Sequence, residues 1–381
     1  MKRVSIFGCT GSIGKSTLEV INHLKSEFKV FALAAGTNYQ LLAKQVIVHQ
    51  PEIVVTIDNK TKDQLFHTLK SSTSKSTILS GEQGLNEIAT AKQTEIIVMA
   101  MSGTKGIIPL MKAIEKRKRI CLSTKELLVG FGKIIMSQAK KHNAEVLPID
   151  SELVGIHQCL FGRNLNEIKR IIITASGGPL FTKKSLKNVS ISDTLNHPVW
   201  EMGKKITIDS ATLANKGLEV IETSRLFSIS PDKIKVLIHP QSIVHAMVEF
   251  TDNTVLAALS LPDMRACIQY ALTFPNRFKS LLKKLDLPSQ KTLEFYLPDM
   301  KRFPALKFAY NALRTDGIAP CVYNSANEVA VNQFLNGKIK FDIIPDIIQK
   351  TLKAMPKIKY PNLSTLLKYE KLSADYAESV I

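Results

Sequence analysis

Tryptophan is nearly missing from this 381-residue chain, which carries one copy, at Trp200. Cysteine is scarce and scattered: Cys9, Cys121, Cys159, Cys267 and Cys321 show no CxxC spacing. That excludes a disulfide framework or a zinc site and reads as reduced core thiols in a cytoplasm. No apolar run approaches the ~18 residues of a membrane span, so no membrane is expected as a partner. A strand-like run already begins at residue 4, which leaves no room for a signal or transit peptide. Repeats and low-complexity segments are absent. Acid is in deficit: 33 Asp and Glu face 51 Lys and Arg, a net charge of +18. That balance favours phosphate-bearing ligands and raises nucleic-acid binding as a possibility. The lysines are spread along the whole chain, however. The one dense run, Lys116-Arg117-Lys118-Arg119, comes with no nucleic-acid motif. It reads as solvated surface, and no nucleic-acid partner is expected.

What is present is a chain long enough for two or three domains with an ordinary 45% of hydrophobic residues. Residues 1–150 alternate short apolar runs with helical patterns. Strands are predicted at 4–7, 30–34, 53–55, 77–79, 96–100, 119–122 and 145–147, the rhythm of a doubly wound, Rossmann-like parallel sheet. A central α/β catalytic domain follows over 151–285, with strands predicted at 168–174, 206–208, 235–239, 242–250 and 254–261. Residues 286–300 read as a linker, beginning in the Pro- and Ser-containing stretch 285–290. A small helical C-terminal domain, 301–381, has helices predicted at 305–315, 324–336 and 343–354.

The first strand runs into Gly8-Cys9-Thr10-Gly11-Ser12-Ile13-Gly14-Lys15-Ser16. A Walker loop would need glycine at position 9, which is Cys9. A dinucleotide turn uses Gly8, Gly11 and Gly14 to bring backbone close to a pyrophosphate at a helix N-terminus. A plain glycine-rich turn is the third reading. The place of this segment, at the first βα turn of an alternating domain, favours the dinucleotide. The second strand ends in Leu33-Ala34-Ala35-Gly36-Thr37-Asn38, without the carboxylate that holds a 2′-hydroxyl. That favours NADPH over NADH, although no cation sits there either.

Pro148-Ile149-Asp150-Ser151-Glu152 follows another strand end and offers hard oxygen ligands suited to Mg²⁺ or Mn²⁺; helix capping is the plainer alternative. In Asn215-Lys216-Gly217-Leu218-Glu219, helical spacing puts Asn215 and Glu219 on one face, and Lys216 three residues from Glu219. A solvated ion pair is the alternative there. Gly217 argues against it, because a merely structural helix has no need of glycine. Ser176-Gly177-Gly178-Pro179 and Ser210 read as a turn and a cap, or as phosphate contacts if the segments converge. Lys125, at a strand end, has the reach to meet a substrate oxygen. The stretch 197–219 gathers an imidazole, an indole, hydroxyls, an amide, an ammonium and a carboxylate, an inventory for gripping a small anion.

In order and spacing, these segments resemble the 1-deoxy-D-xylulose 5-phosphate reductoisomerases. The resemblance is carried by the turn at 8–14, Lys125-Glu126, the run 148–152, Ser176-Gly177-Gly178-Pro179, the run 197–203, Asp209-Ser210-Ala211-Thr212 and the run 215–219. Ile238-His239-Pro240-Gln241-Ser242, Pro262-Asp263-Met264 and Asn324-Ser325-Ala326-Asn327-Glu328 extend it essentially end to end. It implies an oxidoreductase with isomerase activity that turns 1-deoxy-D-xylulose 5-phosphate and NADPH into 2-C-methyl-D-erythritol 4-phosphate for non-mevalonate isoprenoid biosynthesis. A divalent cation (Mn, Mg or Co) and a cytoplasmic homodimer are part of the same implication.

Carried over by position, Asp150, Glu152 and Glu219 would hold the metal. Lys125 would neutralise oxyanion charge, and Glu152 would also transfer a proton. Ser151 would touch substrate hydroxyls, and Ser176, Ser210, Asn215 and Lys216 would hold the phosphate, with His197 beside them. Trp200 and Met202 would lie on a lid over 197–203. Thr10, Gly11, Ser12, Ile13, Gly36, Thr37, Asn38, Thr124, Glu126 and Gly203 would contact NADPH. Four residues depart from the family pattern. Thr124 replaces Asn, Thr37 a basic residue, Lys105 a small residue and Leu153 a His. These departures motivate the alternative of a related NAD(P)- and metal-dependent reductase with an altered substrate.

Overall fold

The computed structural model describes residues 1–200 and 202–381. Two compact units make up the chain: residues 1–127, 135–150 and 263–283 in the first, and 128–134, 151–262 and 284–381 in the second. The first unit alternates β1 (Lys2–Phe7), α1 (Ser12–His23), β2 (Phe28–Ala34), α2 (Tyr39–His49), β3 (Ile53–Thr56), α3 (Asn59–Leu69), β4 (Thr77–Ser80), α4 (Gly81–Thr90), β5 (Ile96–Met99), α5 (Ile107–Glu115), β6 (Arg119–Leu122), α6 (Lys125–His142) and β7 (Val146–Pro148). All seven strands are parallel, in the order β4-β3-β2-β1-β5-β6-β7. A parallel sheet covered on both faces needs strands that are apolar on both faces. Val4, Ile6, Ile96, Ile97, Val98 and Ile120 are accordingly fully buried. The strand order reverses between β1 and β5, the place where doubly wound sheets bind ligands at strand C-termini.

The second unit begins with α7 (Ser151–Leu160) and β8 (Ile168–Ala175), then α8 (Ile191–Leu195), α9 (Lys204–Ala211), α10 (Ala214–Phe227), β9 (Ile234–Ile238), β10 (Val244–Phe250) and β11 (Val255–Leu259). Its sheet runs β11-β10-β8-β9; β8 and β9 are parallel, and β10 is antiparallel to both of its neighbours. Gly155 lets α7 lie against this sheet, since a Cβ there would stand 3.2 Å from the Cβ atoms of Ala246 and Ala258. The chain then returns to the first unit as α11 (Met264–Thr273), where Arg265 pairs with Glu19 of α1 at 3.0 Å. It ends in the second unit with α12 (Leu287–Gln290), α13 (Pro304–Thr315), α14 (Ala319–Leu335), α15 (Ile344–Ala354) and α16 (Leu363–Ser379).

The strands of the first sheet fall within about two residues of their predicted bounds. Three expectations shift. Residues 206–208, predicted as a strand from their β-branched run, lie in α9. Gly203 N-caps that helix, and Thr207, Ile208 and Ala211 are buried from it. A short apolar run does not by itself distinguish strand from buried helix, and packing decides here. The predicted helix at 324–336 starts five residues earlier, with Pro320 in its first turn. The stretch 285–290 contains the single turn α12. Among the described residues, no helix is long and apolar enough to cross a membrane. Among the described residues no cysteine forms a disulfide, and all five are buried; burial pushes the Cys9, Cys121 and Cys321 thiols up to about 12.

Candidate metal centre and ligand sites

In the first unit, β1 delivers Gly8 with φ +88°, and a Cβ there would lie 2.3 Å from the Ala100 carbonyl oxygen after β5. A Cβ on Gly14 would meet the Gly8 oxygen at 2.3 Å. These two positions admit no side chain, so the turn folds tightly against the sheet and α1 starts where β1 stops. Gly11 is the N-cap of α1, with no side-chain cap and no acid in the first turn. Gly11 and Ser12 are exposed, Thr10 and Ile13 partly so. Backbone N–H groups and the positive end of the helix dipole therefore face outward, a cradle that fits a pyrophosphate. Gly36, Thr37 and Asn38 are exposed after β2, and the Asn38 side chain accepts the Leu41 N–H at 3.1 Å. Thr124 is buried and donates its hydroxyl to the Met101 carbonyl at 2.6 Å, which ties the loop after β5 to the start of α6. Lys105 is exposed in that same loop. Lys125 opens α6 and sets its ammonium 3.2 Å from Asp150 Oδ2; Glu126 follows in the first turn.

Asp150 immediately precedes α7, and Ser151 and Glu152 form its first turn. Asp150, Glu152 and Glu219 each offer a carboxylate oxygen, all within 4.8 Å of one another. Glu219 is 1% exposed, on the inner face of α10. One turn earlier, Asn215 Nδ2 donates to Glu219 Oε1 at 2.6 Å. Lys216, 3% exposed, pairs with Glu152 Oε1 at 3.0 Å and with Glu219 Oε2. The Ser151 hydroxyl donates to Glu152. An all-oxygen set of three carboxylates suits Mg²⁺ or Mn²⁺. Neighbouring oxygens on an octahedral shell of ~2.1 Å radius stand ~3.0 Å apart, so the three carboxylates would draw together on a cation. The ammonium of Lys216 neutralises part of the buried charge here. Leu153, where the family resemblance places a His, is fully buried in the same turn of α7.

The phosphate candidates Ser176, Ser210, Asn215 and Lys216 all lie in the second unit. Gly177 and Gly178 both have positive φ, and a Cβ on Gly178 would lie 2.6 Å from the Ser210 carbonyl. The loop after β8 is thereby laid on the C-terminal turn of α9, which carries Ser210. The α10 N-terminus, with Asn215 and Lys216, begins four residues after Ser210 and carries no acid in its first turn. His197 contacts Ser176 Oγ through Nε2 at 2.9 Å, while its Nδ1 accepts the N–H groups of Val199 at 3.2 Å and Trp200 at 2.9 Å. Burial pushes its pKa down to about 4. Trp200 and Met202 are half-buried. The predicted lid also includes Glu201, which lies outside the described residues. Gly203, predicted for the cofactor, is the exposed N-cap of α9.

Two contributions escaped the sequence. His245, 5% exposed on β10, sets its ring 6.3 Å from that of Trp200 and holds Nε2 3.0 Å from Ser260 Oγ. A lone His in an apolar strand is the only local signal for it. The run 324–328 acts through Asn327, whose Nδ2 donates to buried Asp209 Oδ1 at 2.8 Å. That bond pins α9, and with it Ser210, to α14. Asn327→Ala leaves Asp209 with Lys205, 3.0 Å away, and removes its amide partner. We expect a loss of about 1–3 kcal/mol in urea unfolding; an unchanged midpoint would deny the bond this role. Gly217 has a structural reason after all, contrary to the sequence argument. Its Cβ would meet Ala309 Cβ at 2.7 Å and the Tyr323 hydroxyl at 2.9 Å, so it is there for helix packing.

Family-wide sequence models match three parts of the chain: 1-deoxy-D-xylulose 5-phosphate reductoisomerase over residues 4–132, its C-terminal domain over 146–227, and the DXP reductoisomerase C-terminal domain over 259–376. The 1-deoxy-D-xylulose 5-phosphate reductoisomerase of Geotalea uraniireducens is 47% identical over 354 residues, covering 92% of this chain and 91% of that protein. The Zymomonas mobilis enzyme of that name, solved with NADPH, superposes with TM-score 0.93 at 35% identity, covering 100% of this chain and 98% of that one. A DOX-P reductoisomerase solved with NADPH, fosmidomycin and magnesium gives TM-score 0.93 at 36% identity, with the same coverage.

Proposed function

Because the chain belongs to the 1-deoxy-D-xylulose 5-phosphate reductoisomerase family, we propose which of its residues carry out that family's reaction. The reaction is the NADPH-dependent conversion of 1-deoxy-D-xylulose 5-phosphate to 2-C-methyl-D-erythritol 4-phosphate in isoprenoid biosynthesis. The enzyme is an oxidoreductase that uses NADPH and a divalent cation. The observation that carries the assignment is the Asp150, Glu152 and Glu219 group.

Asp150, Glu152 and Glu219 would hold the cation. When bound, the cation supplies Lewis acidity to substrate oxygens and NADPH supplies the hydride. Lys125 donates toward an oxygen that gains negative charge, a role its ammonium can fill while Asp150 holds it in place. Glu152 receives and returns a proton at its carboxylate, and Ser151 orients substrate hydroxyls. Ser176, Ser210, Asn215 and Lys216 bind the phosphate with the α10 N-terminus. Trp200 and Met202 cover the bound substrate and exclude water. Thr10, Gly11, Ser12, Ile13, Gly36, Thr37, Asn38, Thr124, Glu126 and Gly203 contact NADPH. The division of labour is part of the proposal: 1–150 for NADPH, with Asp150 at its end reaching the metal; 151–285 for metal and substrate, of which 263–283 belongs to the first compact unit; 286–300 linking, and 301–381 helical.

A cytoplasmic homodimer belongs to the same reading. The dimer is supported by β11, an edge strand whose Val255, Leu256 and Leu259 are exposed; native monomers seldom leave such an apolar edge open. Light scattering on a size-exclusion column should return twice the chain mass, and a monomer at micromolar concentration would remove the dimer from the account.

The activity test is direct. Purified protein with 1-deoxy-D-xylulose 5-phosphate, NADPH and Mn²⁺ should oxidise the cofactor, and excess EDTA should abolish that oxidation. Absence of oxidation at high enzyme, beside a working homologue, would overturn the reading. Full activity in EDTA would remove the metal role.

A further inference from the structure

We infer that His197 is a positioning residue, a neutral imidazole with its hydrogen on Nε2, that ties the lid turn to the anion pocket and fixes the Ser176 hydroxyl as an outward donor. The inference deepens the proposed function and rests on its placing of the substrate phosphate beside Ser176.

The hydrogen bonds decide the tautomer. Nδ1 of His197 receives two backbone N–H groups, from Val199 at 3.2 Å and Trp200 at 2.9 Å. A nitrogen that accepts bears no hydrogen, so the ring hydrogen is on Nε2. Pro198, directly after the ring-bearing residue, has no N–H to offer, so the ring closes the turn onto the next two residues. Nε2–H then points at Ser176 Oγ, 2.9 Å away, and donates to it. The same oxygen accepts the Gly178 N–H at 3.2 Å. A hydroxyl has two lone pairs and one hydrogen. With both lone pairs engaged, Ser176 retains only its O–H, which is a donor. A phosphate dianion presents only acceptors, so the hydroxyl is set for it and mismatched to a donor ligand. Burial keeps the ring neutral, which preserves the Nδ1 lone pair for the lid turn. Phosphate charge is therefore met by Lys216 and the α10 N-terminus, while His197 contributes geometry. One ring thus joins the loop after β8 to the backbone of Trp200.

The test separates the two ring nitrogens. Asparagine can place an acceptor near Nδ1, and glutamine can place a donor near Nε2. In His197→Asn the lid turn is retained and the Ser176 donor is not. KM for 1-deoxy-D-xylulose 5-phosphate should rise about 10–100-fold, with kcat changed far less. The substrate-induced change in fluorescence of Trp200, the single indole, should persist with Mg²⁺ present. In His197→Gln the pattern reverses: KM stays nearer wild type, kcat falls and the Trp200 response is lost. Nitrogen-15 NMR of histidine-labelled wild-type protein, with the signal assigned by its loss in His197→Gln, should show Nδ1 bare and Nε2 protonated at neutral pH. The inference is overturned if the ring is charged or carries its hydrogen on Nδ1, or if both variants lose KM and kcat in the same proportion. Wild-type protein inactive on this substrate would instead count against the proposed function, and the NMR result would still decide the tautomer.

Discussion

Glu219→Gln is expected to reduce kcat by about 10³-fold or more while leaving NADPH affinity within about twofold. The first figure follows from the several kcal/mol that a Lewis-acid cation supplies to developing oxygen charge, at tenfold per 1.36 kcal/mol. Glutamine keeps the shape of glutamate and its carbonyl still accepts from Asn215 Nδ2, which stands 2.6 Å from Oε1 in the wild type. Lys216 keeps Glu152 as an ion-pair partner at 3.0 Å. The substitution thus removes one anionic ligand and little packing. NADPH affinity is read by quenching or enhancement of the nicotinamide fluorescence, and folding by circular dichroism. Equal loss of turnover and cofactor binding would make Glu219 a structural residue.

Gly8→Ala is expected to act on the other half of the chemistry. The substitution forces a side chain into a φ of +88° and drives its Cβ to 2.3 Å from the Ala100 carbonyl oxygen, a backbone atom that has no rotamer to yield. Strain and overpacking together should lower stability by about 2–4 kcal/mol. The turn that presents the α1 N-terminus must shift, so NADPH affinity should fall more than about tenfold even where the protein remains folded. Gly36→Ala is the internal control: nothing lies within 4 Å of its Cβ, so folding should be unaffected. Gly8→Ala protein that bound NADPH like the wild type would remove this turn from the cofactor site.

The first unit was legible because its physics is local. A parallel sheet buried on both faces demands continuous apolar runs, and glycines punctuate its βα turns, so the sheet and its first glycine-rich turn announce themselves together. Asp150 and Glu152 were equally visible as neighbours at a strand end. Other features depend on tertiary contacts. Nothing local says that Ile206-Thr207-Ile208 is helical; its burial from α9 decides it. Gly217 was read as a functional glycine, and its reason is Tyr323, about a hundred residues away. The Asp209–Asn327 bond and the seat of Trp200 on His245 leave no periodic trace in the sequence. The residues proposed for the anion were visible as an inventory, whereas the bonds of His197 to Ser176 and to the backbone of Val199 and Trp200 required the structure.

The central claim is that Asp150, Glu152 and Glu219 form one cation site. Titration of the apoprotein with Mn²⁺, read by electron paramagnetic resonance, tests it without recourse to turnover. The account predicts one tight Mn²⁺ per chain in the wild type, lost in Asp150→Asn, Glu152→Gln and Glu219→Gln alike, with NADPH binding preserved in all three. Tight Mn²⁺ binding retained in any of these variants would contradict it.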